Sequence, residues 1–234
     1  MEQWEKILRE AGEEMGIIFS DKQISLFAEY RDELLRWNAK MSLLSLKNPR
    51  DLPVKHFIDS LTVLPVLSSR HIMDPRVIDL GTGAGFPGIP LLIVQPSIRL
   101  TLLDSSRKKT SFLKTALRKI GRDDIPVIND RVEQVMSRND LDGAFDVLVS
   151  RATFSLEKLL PPADHFLVPG GLLVAMKAIG ADDELAKAGK VSSSSGMRYV
   201  ERRDLELPGK AGSRSLLIFR KEGVFPRTGR DARP

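Results

Sequence analysis

Three glycines at alternate positions, set between two apolar segments, constrain the fold of this chain more than any other feature. Residues 77–88 read Val-Ile-Asp-Leu-Gly-Thr-Gly-Ala-Gly-Phe-Pro-Gly, and the largely apolar residues 89–94 follow them. Glycine allows a tight turn and a close approach of a ligand to the main chain, because it has no Cβ. The pattern predicts a buried strand, a loop and a helix, a unit that places nucleotide-like ligands at the carboxyl edge of a parallel sheet.

Two ligand templates overlap in this loop. Residues 79–85 have the Asp-x-Gly-x-Gly-x-Gly pattern of S-adenosylmethionine (SAM) methyltransferases, and residues 83–88 match the dinucleotide fingerprint G-x-G-x-x-G. The dinucleotide template places Pro87 where free N–H groups should face a pyrophosphate, and it leaves Asp79 unexplained. In the SAM template, Asp79 accepts the ammonium group of the methionine moiety, directly or through water. A tight turn without a ligand is the third interpretation, although it gives three alternating glycines no purpose.

A carboxylate at the end of the next predicted strand is the candidate ribose ligand. Residues 99–104 read Arg-Leu-Thr-Leu-Leu-Asp, and Asp104 follows the glycines by about 20 residues, the spacing typical of this fold class. An acid at a helix N-terminus, favoured by the helix dipole, is the alternative interpretation of Asp104. Ser105 is the predicted cap of the helix that follows, and Gly121 is predicted to end it.

The first 70 residues are predicted to form an N-terminal helical extension. An apolar stripe at helical spacing begins at Trp4, and residues 20–23 read Ser-Asp-Lys-Gln, a capping box that opens a second helix. A third helix is predicted over residues 52–67, with Pro65 near its end. Because no strand pattern occurs in this region, residues 1–70 are interpreted as an addition to the nucleotide-binding fold.

Strand and helix patterns alternate from Arg76 onward. Strands are predicted over 76–80, 99–104, 125–129, 145–150, 171–177, 198–206 and 214–220, with helices at about 87–95, 107–120, 131–138, 155–167 and 181–189. This alternation is typical of a parallel sheet, and a Gly/Pro turn joins the last two strands as a hairpin. The predicted fold class is α/β: a Rossmann-like class I SAM-dependent methyltransferase with a seven-stranded, mostly parallel sheet and a C-terminal antiparallel hairpin. This domain spans residues 71–222, and 223–234 form a basic tail predicted to be disordered.

Composition limits the kinds of site and partner. The chain has 234 residues, no cysteine and three scattered histidines, which argues against disulfides and metal sites. No apolar run is as long as a membrane span, and the N-terminus lacks a signal pattern. A soluble, cytoplasmic monomer without a metal or a membrane partner is therefore expected. The formal net charge of +5 and the pI of about 9.5 are typical of nucleic-acid binders, although charge alone does not identify such a partner.

The motifs taken together resemble the glucose-inhibited division protein B (GidB) family of bacterial small-subunit rRNA methyltransferases. The most specific match is residues 79–90, whose Gly-Phe-Pro-Gly-Ile-Pro extension is a family signature. Supporting matches follow the family's order and lie at residues 55–60, 102–105, 131–133, 150–152, 169–171 and 176–177. Two departures occur: Met41-Ser-Leu-Leu44 stands where the family has Asn-Leu-Thr, and Ala178 replaces a glycine after Met176-Lys177.

The resemblance implies a function and a set of site residues. It implies transfer of a methyl group from SAM to N7 of a guanine in 16S rRNA, guanine 527, within the small ribosomal subunit or its assembly intermediate. It implies cofactor contacts for Asp79, Gly81, Gly83, Gly85, Phe86, Asp104, Ser105, Ser106, Val132, Glu133 and Arg151. It implies RNA contacts for Lys55, His56, Arg151, Lys177 and Arg214, and catalytic positions for Arg151, His56 and Lys177.

The implied reaction needs few catalytic groups. Guanine N7 carries a lone pair and no proton, so its attack needs no general base, and the sequence shows no nucleophile elbow or paired His–Asp motif. Aligning two bound reactants can supply about 7–11 kcal/mol of the acceleration. Arg151 is therefore expected to orient the cofactor or the RNA backbone and not to cap N7. Three other functions stay open: methylation of a small molecule, a non-catalytic role in RNA binding and assembly, and nicotinamide-dependent dehydrogenation.

Overall fold

The amino-terminal part of the chain is helical, as predicted. The structure, a computed structural model, describes residues 2–45, 48–68, 74–138, 141–151, 154–192 and 195–223, with the backbone alone for 189–192. His71, Ala152, the predicted boundary at residues 70–71 and the basic tail from residue 224 lie outside these ranges. The first elements are α1 (Gln3–Glu14), α2 (Asp21–Met41), a 3-10 turn (Pro49–Asp51), a π-helical turn (Pro53–Ile58), α3 (Asp59–Leu61) and α4 (Leu64–Ser68).

Strands and helices alternate in the described residues that follow Asp74. The strands are β1 (Arg76–Leu80), β2 (Arg99–Leu103), β3 (Val127–Ile128), β4 (Phe145–Arg151), β5 (Leu167–Ala178), β6 (Met197–Glu206) and β7 (Ser213–Lys221). The helices are α5 (Gly88–Val94), α6 (Arg107–Lys119), α7 (Val132–Met136), α8 (Leu156–Phe166) and α9 (Asp182–Ser192). A 3-10 turn (Pro208–Lys210) lies between β6 and β7.

The seven strands form one sheet in the order β3-β2-β1-β4-β5-β7-β6. All neighbours are parallel except β7, which runs antiparallel to β5 and to β6. The predicted seven-stranded, mostly parallel sheet with a terminal hairpin is therefore confirmed. The chain order reverses between β1 and β4, and such a reversal opens a crevice at the carboxyl ends of the strands. Asp79 lies at this edge, beside Leu102 of β2 and Val149 of β4.

The capping box at the start of α2 is also confirmed. The Ser20 hydroxyl accepts a hydrogen bond from the Gln23 N–H (3.3 Å), and the Gln23 side-chain oxygen accepts one from the Ser20 N–H (2.9 Å). Both bonds satisfy N–H groups that have no partner within the helix. They fix the start of a helix that buries Phe27 and Tyr30 against the rest of the chain.

Two local predictions were wrong. The helix predicted over 52–67 is interrupted after α3, and Pro65 lies in the first turn of α4 instead of near a helix end. Proline is tolerated there because a first-turn N–H has no partner within the helix. Ser106, not Ser105, caps α6, and its hydroxyl accepts from the Lys109 N–H (3.5 Å). Asp104 accepts a hydrogen bond from the Ser106 N–H, which keeps the residue before the helix extended.

Apolar side chains form two buried clusters on opposite faces of the sheet. One cluster includes Val77 and Val149, and the other includes their strand neighbours Ile78 and Leu148. Side chains alternate between the two faces along a strand, which explains this division. The first cluster also contains the buried residues of α1, α2, α5 and α6. The N-terminal helices therefore share a core with the sheet and help to shape its carboxyl edge.

Candidate cofactor and substrate site

Two adjoining cavities lie at the carboxyl edge of the sheet, and Gly81 and Lys109 line both. The first, which we name the basic cavity, has a volume of about 500 Å³ and is also lined by Lys55, His56, Asp59, Gly83, Phe86, Arg151, Lys177 and Arg214. The second, the acidic cavity, has a volume of about 390 Å³ and is also lined by Asp104, Ser105, Ser106, Asp130, Arg131, Val132 and Glu133. The structure therefore brings most of the predicted site residues together. Two predicted cofactor residues, Asp79 and Gly85, line neither cavity.

The glycine loop, residues 81–85, needs its glycines for two different reasons. Gly81, Gly83 and Gly85 have φ values of +68°, +63° and +94°, which side chains with a Cβ rarely adopt. A Cβ on Gly83 would meet nothing closer than 3.9 Å, so the loop leaves open space beside the basic cavity. A Cβ on Gly85 would lie 2.6 Å from the Ile89 side chain and 2.8 Å from the Tyr30 hydroxyl. Gly85 therefore allows packing behind the loop.

Asp79 lies completely buried beneath the glycine loop. Its Oδ2 accepts hydrogen bonds from the Thr82 hydroxyl (2.7 Å) and from the Gly88 N–H (2.8 Å). Its Oδ1 has no partner within the described part of the chain. Burial raises the pKa of Asp79 to about 7, and the two hydrogen bonds oppose that rise. Asp79 thus fixes the shape of the loop, and its contact with a cofactor ammonium group stays a prediction.

Asp104 connects the glycine loop to the start of α6. Its Oδ2 accepts from the Gly83 N–H (2.9 Å) and its Oδ1 accepts from the Ser106 N–H (2.8 Å). The position of Asp104 fits both the helix N-terminus and the ribose interpretation, because the residue precedes α6 and also lines the acidic cavity. Ser105, Ser106, Val132 and Glu133 line the same cavity, while their contacts with a ribose or a base stay predictions.

A buried carboxylate joins two arginines in the basic cavity. Asp59, only 1% exposed, accepts a hydrogen bond from Arg151 through Oδ2 (3.2 Å) and from Arg214 through Oδ1 (2.9 Å). Arg151 ends β4 and Arg214 lies in β7, so Asp59 links the helical extension to two strands. Asp59 was not among the predicted site residues. Its signal in the sequence was its place within the match at residues 55–60.

His56 is neutral in this environment. The Arg151 guanidinium lies 3.1 Å from His56 Nδ1, and because a guanidinium only donates, Nδ1 is the acceptor and the proton is on Nε2. Burial, together with the positive charges of Arg151 and Arg214, lowers the pKa of His56 to about 3. The His56 ring packs on Phe86 with 5.2 Å between centroids, and the Arg151 guanidinium lies 4.6 Å from the centroid of the same ring. His56 can therefore donate a hydrogen bond through Nε2, but as a neutral imidazole it is not a general acid.

Two lysines of the basic cavity have acidic partners. The Lys177 ammonium donates to Glu184 (2.8 Å) and to the Phe154 carbonyl, and its side chain is only 10% exposed. The Lys55 ammonium donates to Asp51 (2.9 Å) and is 44% exposed. The exposed Lys55 ammonium can contact RNA from its present position. The Lys177 ammonium can contact a phosphate only if it gives up its ion pair with Glu184. Both RNA contacts stay predictions.

The helical extension also supports the glycine loop through Tyr30, which sequence reasoning missed. Tyr30 is completely buried, and its hydroxyl donates a hydrogen bond to the Ala84 carbonyl in the loop. Its ring packs on Phe57 and Phe86, at 5.7 Å between centroids in both cases. No local pattern marks this residue as different from its apolar neighbours in α2. The extension therefore supplies Tyr30 and Asp59 to the site in addition to Lys55 and His56, which were predicted.

The arrangement suits a nucleoside ligand beside an electron-rich substrate. Carboxylate oxygens of Asp104 line the acidic cavity and can accept from donors such as sugar hydroxyls, and the basic cavity offers guanidinium and N–H donors. Within the described ranges, no group of three or more His, Asp or Glu side chains could hold a metal ion. None of the helices in those ranges has both the length and the apolar character needed to cross a membrane.

Comparison with solved structures defines the class of protein. An O-methyltransferase from Bacillus cereus in complex with SAH has a TM-score of 0.58 at 13% identity, covering 82% of this chain and 90% of that one. A precorrin-6y C5,15-methyltransferase from Geobacter metallireducens has a TM-score of 0.51 at 18% identity, covering 68% of this chain and 87% of that one. The fold is that of the class I SAM-dependent methyltransferases, with a helical extension at the amino terminus.

Comparison with known sequences identifies the family. The family described as GidB, rRNA small subunit methyltransferase G, matches residues 23–208. The ribosomal RNA small subunit methyltransferase G of Syntrophus aciditrophicus is 38% identical over 220 residues, covering 94% of this chain and 90% of the relative. The protein of the same name from Carboxydothermus hydrogenoformans is 37% identical over 208 residues, covering 89% and 87%. The chain belongs to the GidB family of rRNA small subunit methyltransferases, and the predicted resemblance is confirmed.

Proposed function

We propose that this protein transfers a methyl group from SAM to N7 of a guanine in 16S rRNA, guanine 527 by the family resemblance. The observation that carries the proposal is the pair of adjoining cavities at the glycine loop. One cavity is acidic and suited to a nucleoside, and the other combines arginines with a neutral histidine. Together with the family, this geometry favours transfer between a bound nucleoside cofactor and an RNA base.

The cofactor is SAM, and the residues of the acidic cavity fit it. Both Asp104 oxygens already accept a backbone N–H, but each has a second lone pair that can accept a ribose hydroxyl. Val132 and Glu133 flank the adenine in this proposal, and Gly81 with Phe86 borders the methionine moiety. The unpartnered, buried Oδ1 of Asp79 suits a proton donor such as the cofactor ammonium, through a bridging water. When bound, SAM supplies a methyl group on a sulfonium, which the N7 lone pair takes without loss of a proton.

The residues of the basic cavity position the base and do not exchange protons with it. His56 is neutral and its Nδ1 accepts from Arg151, so it offers Nε2–H to an acceptor on the substrate. Arg151 is held by Asp59 and by Phe86, which orients its guanidinium without a contact to N7. This division of roles agrees with a reaction that needs no general base, because N7 attacks through a lone pair and has no proton to lose. The acceleration then comes from alignment of two bound reactants, which can be worth about 7–11 kcal/mol.

The RNA substrate must present an unpaired guanine. N7 of a paired guanine lies in the deep, narrow groove of an RNA helix, which side chains do not enter. Five cationic side chains line the basic cavity against one carboxylate, so the cavity suits the phosphates that flank an extruded base. We therefore propose the small ribosomal subunit, or its assembly intermediate, as the substrate of a cytoplasmic monomer.

The test is the identity of the methylated atom. Purified protein with SAM carrying a labelled methyl group is incubated with undermethylated small subunits, and the rRNA is digested to nucleosides for mass spectrometry. Labelled 7-methylguanosine from 16S rRNA is the expected product. A folded, SAM-binding protein that labels another atom, or that methylates a metabolite without RNA, would contradict the proposal.

A further inference from the structure

The outer face of α6 carries positive charge without acidic partners. Its sequence, Arg-Lys-Lys-Thr-Ser-Phe-Leu-Lys-Thr-Ala-Leu-Arg-Lys, contains no acid. Five of its cationic residues are exposed: Arg107, Lys108, Lys114, Arg118 and Lys119. We name these five residues the α6 stripe. Within the described residues, none of the five forms an ion pair, although Lys119 acts at longer range on Glu33.

Among the residues that the structure describes, most other surface arginines contrast with the stripe. Arg9 pairs with Asp21 at 2.8 Å, Arg122 with Asp124 at 2.9 Å, and Arg202 with both Asp182 and Asp204. An acid close to a surface arginine cancels its charge toward a distant partner. The α6 stripe keeps its charge available, and like charges on one helix face destabilise the helix slightly. The charge of such a stripe is available to an anionic partner outside the described chain.

The stripe is held rigidly in one direction. Phe112, Leu113, Ala116 and Leu117 are buried on the inner face of α6, so the helix cannot rotate. Arg107, Lys114 and Arg118 follow the spacing of one side of a helix, and the rise of 1.5 Å per residue makes this row about 16 Å long. A row of that length faces several successive phosphates of one nucleic-acid strand.

The stripe is continuous with the cofactor and substrate site. The first residue of α6 follows Ser106, which lines the acidic cavity, and Lys109 lines both cavities. The stripe thus begins beside the site at Arg107 and leads away from it to Lys119. A strand that places its base in the basic cavity therefore has the start of the stripe within a few residues of the cavity lining.

We propose that the α6 stripe is the docking surface for the phosphate backbone of the rRNA on one side of the target guanine. This inference rests on the proposed function and adds the surface that positions the substrate. The exposed residues between the cations are Ser111 and the half-exposed Thr115, which can bond to phosphate oxygens. An acidic protein partner would be expected to bury apolar or aromatic anchors at such a surface, and the stripe offers none.

The test compares two double variants of the full chain. Lys114→Gln/Arg118→Gln removes two charges from the distal part of the stripe, away from both cavities. Lys158→Gln/Lys187→Gln is the matched control, because both lysines are exposed and lie in α8 and α9, whose buried side chains belong to the other face of the sheet. Affinity for a 16S rRNA fragment containing the target guanine is measured across a range of salt concentrations, with SAM affinity and melting temperature as controls of folding.

We expect the negative slope of log K against log salt to become shallower in the stripe variant, by about 0.7–0.9 for each lost phosphate contact. For two contacts, the affinity of the variant relative to the wild type should be about 25- to 60-fold lower at 0.1 M salt than the same ratio extrapolated to 1 M. The control variant should keep the wild-type slope. An unchanged slope in the stripe variant would overturn the proposal. Binding to polyglutamate is measured in parallel, and a variant that loses binding to polyglutamate but not to the rRNA fragment would assign the stripe to an acidic protein instead. Loss of slope without formation of 7-methylguanosine by the wild type would support the stripe and refute the proposed reaction.

Discussion

Replacement of Asp59 by asparagine is the perturbation that best separates this site from an ordinary cluster of surface charges. The carboxylate is 1% exposed and is shared by Arg151 and Arg214. Asparagine has nearly the same shape, but Arg151 and Arg214 contact different oxygens of the carboxylate, and in asparagine one of these two atoms becomes an NH2 group that turns N–H donors toward an arginine. The variant therefore keeps the packing and removes the negative charge between two guanidinium groups.

The magnitude follows from burial. Removing one partner of a buried ion pair costs about 3–5 kcal/mol, because the remaining charge stays buried. The Arg151 and Arg214 side chains are 15% and 25% exposed, so water reaches both and the lower end of that range applies. A free energy of unfolding reduced by about 3 kcal/mol lowers the melting temperature by about 6–12 °C in a protein of this size.

The assay is urea and thermal unfolding of the wild type and the variants in chloride and in sulfate at matched ionic strength. Sulfate should recover part of the lost stability of Asp59→Asn, because an anion in the basic cavity replaces the missing carboxylate. Asp51→Asn is the matched control. It breaks a pair in which Lys55 is 44% and Asp51 is 33% exposed, and such a pair contributes at most about 1 kcal/mol.

The reasoning would be refuted if Asp59→Asn were no less stable than Asp51→Asn. It would also be refuted if sulfate stabilised both variants and the wild type equally. A loss of stability without a sulfate effect would show that the Asp59 carboxylate neutralises the two arginines but that the basic cavity does not admit an anion in its place. In that case the two arginines would not form an anion-binding surface.

Three further predictions follow from buried groups. In the wild type, the contribution of Asp79 to the free energy of unfolding should fall by at most about 4 kcal/mol as pH rises from about 4 to about 7, because the carboxyl loses its proton first in the unfolded chain. Asp79→Asn should remove this pH dependence, measured by urea titrations at several pH values. A difference in stability between the two proteins that stays constant over that pH range would contradict the prediction. His56 has the opposite sign: its contribution is complete above its ordinary pKa of 6.5 and is lost as pH falls toward 3, so nitrogen-15 NMR at pH 6 should show a neutral ring protonated at Nε2, and a doubly protonated ring would be evidence against it. Tyr30→Phe leaves the Ala84 carbonyl without its donor and should cost about 1–3 kcal/mol of stability together with SAM affinity; unchanged cofactor binding would show that Tyr30 does not support the glycine loop.

The fold could be predicted from the sequence because its signals are local. The alternate glycines at 81, 83 and 85 form the predicted turn, all with left-handed φ, and β1 has the predicted bounds. The alternation of strand and helix patterns then limits the sheet to few topologies. The break in the helix predicted over residues 52–67 follows from Pro65, which has no N–H to donate to the Leu61 carbonyl and whose ring would clash with it. The prediction was wrong because it placed this proline near the end of one helix, whereas the helix ends four residues before it and a new one begins.

The contacts within the site could not be predicted in the same way. Asp59 meets Arg151 across 92 residues of sequence and Arg214 across 155, and Tyr30 meets Ala84 across 54. The local periodicity of these segments does not indicate which distant residues come into contact. Asp79 shows the opposite case: the motif marked the residue as important, but only the structure shows that it lies under the loop and not at the cavity surface.

The central claim is that an adenosyl cofactor beside the glycine loop donates its methyl group to guanine N7 of small-subunit rRNA. The most direct measurement is nucleoside mass spectrometry of 16S rRNA from a strain lacking the gene and from the same strain complemented with it. The account predicts one 7-methylguanosine that is absent from the first strain and restored in the second, at guanine 527. An identical pattern of 7-methylguanosine in the two strains, with the protein present and folded in the second, would contradict it.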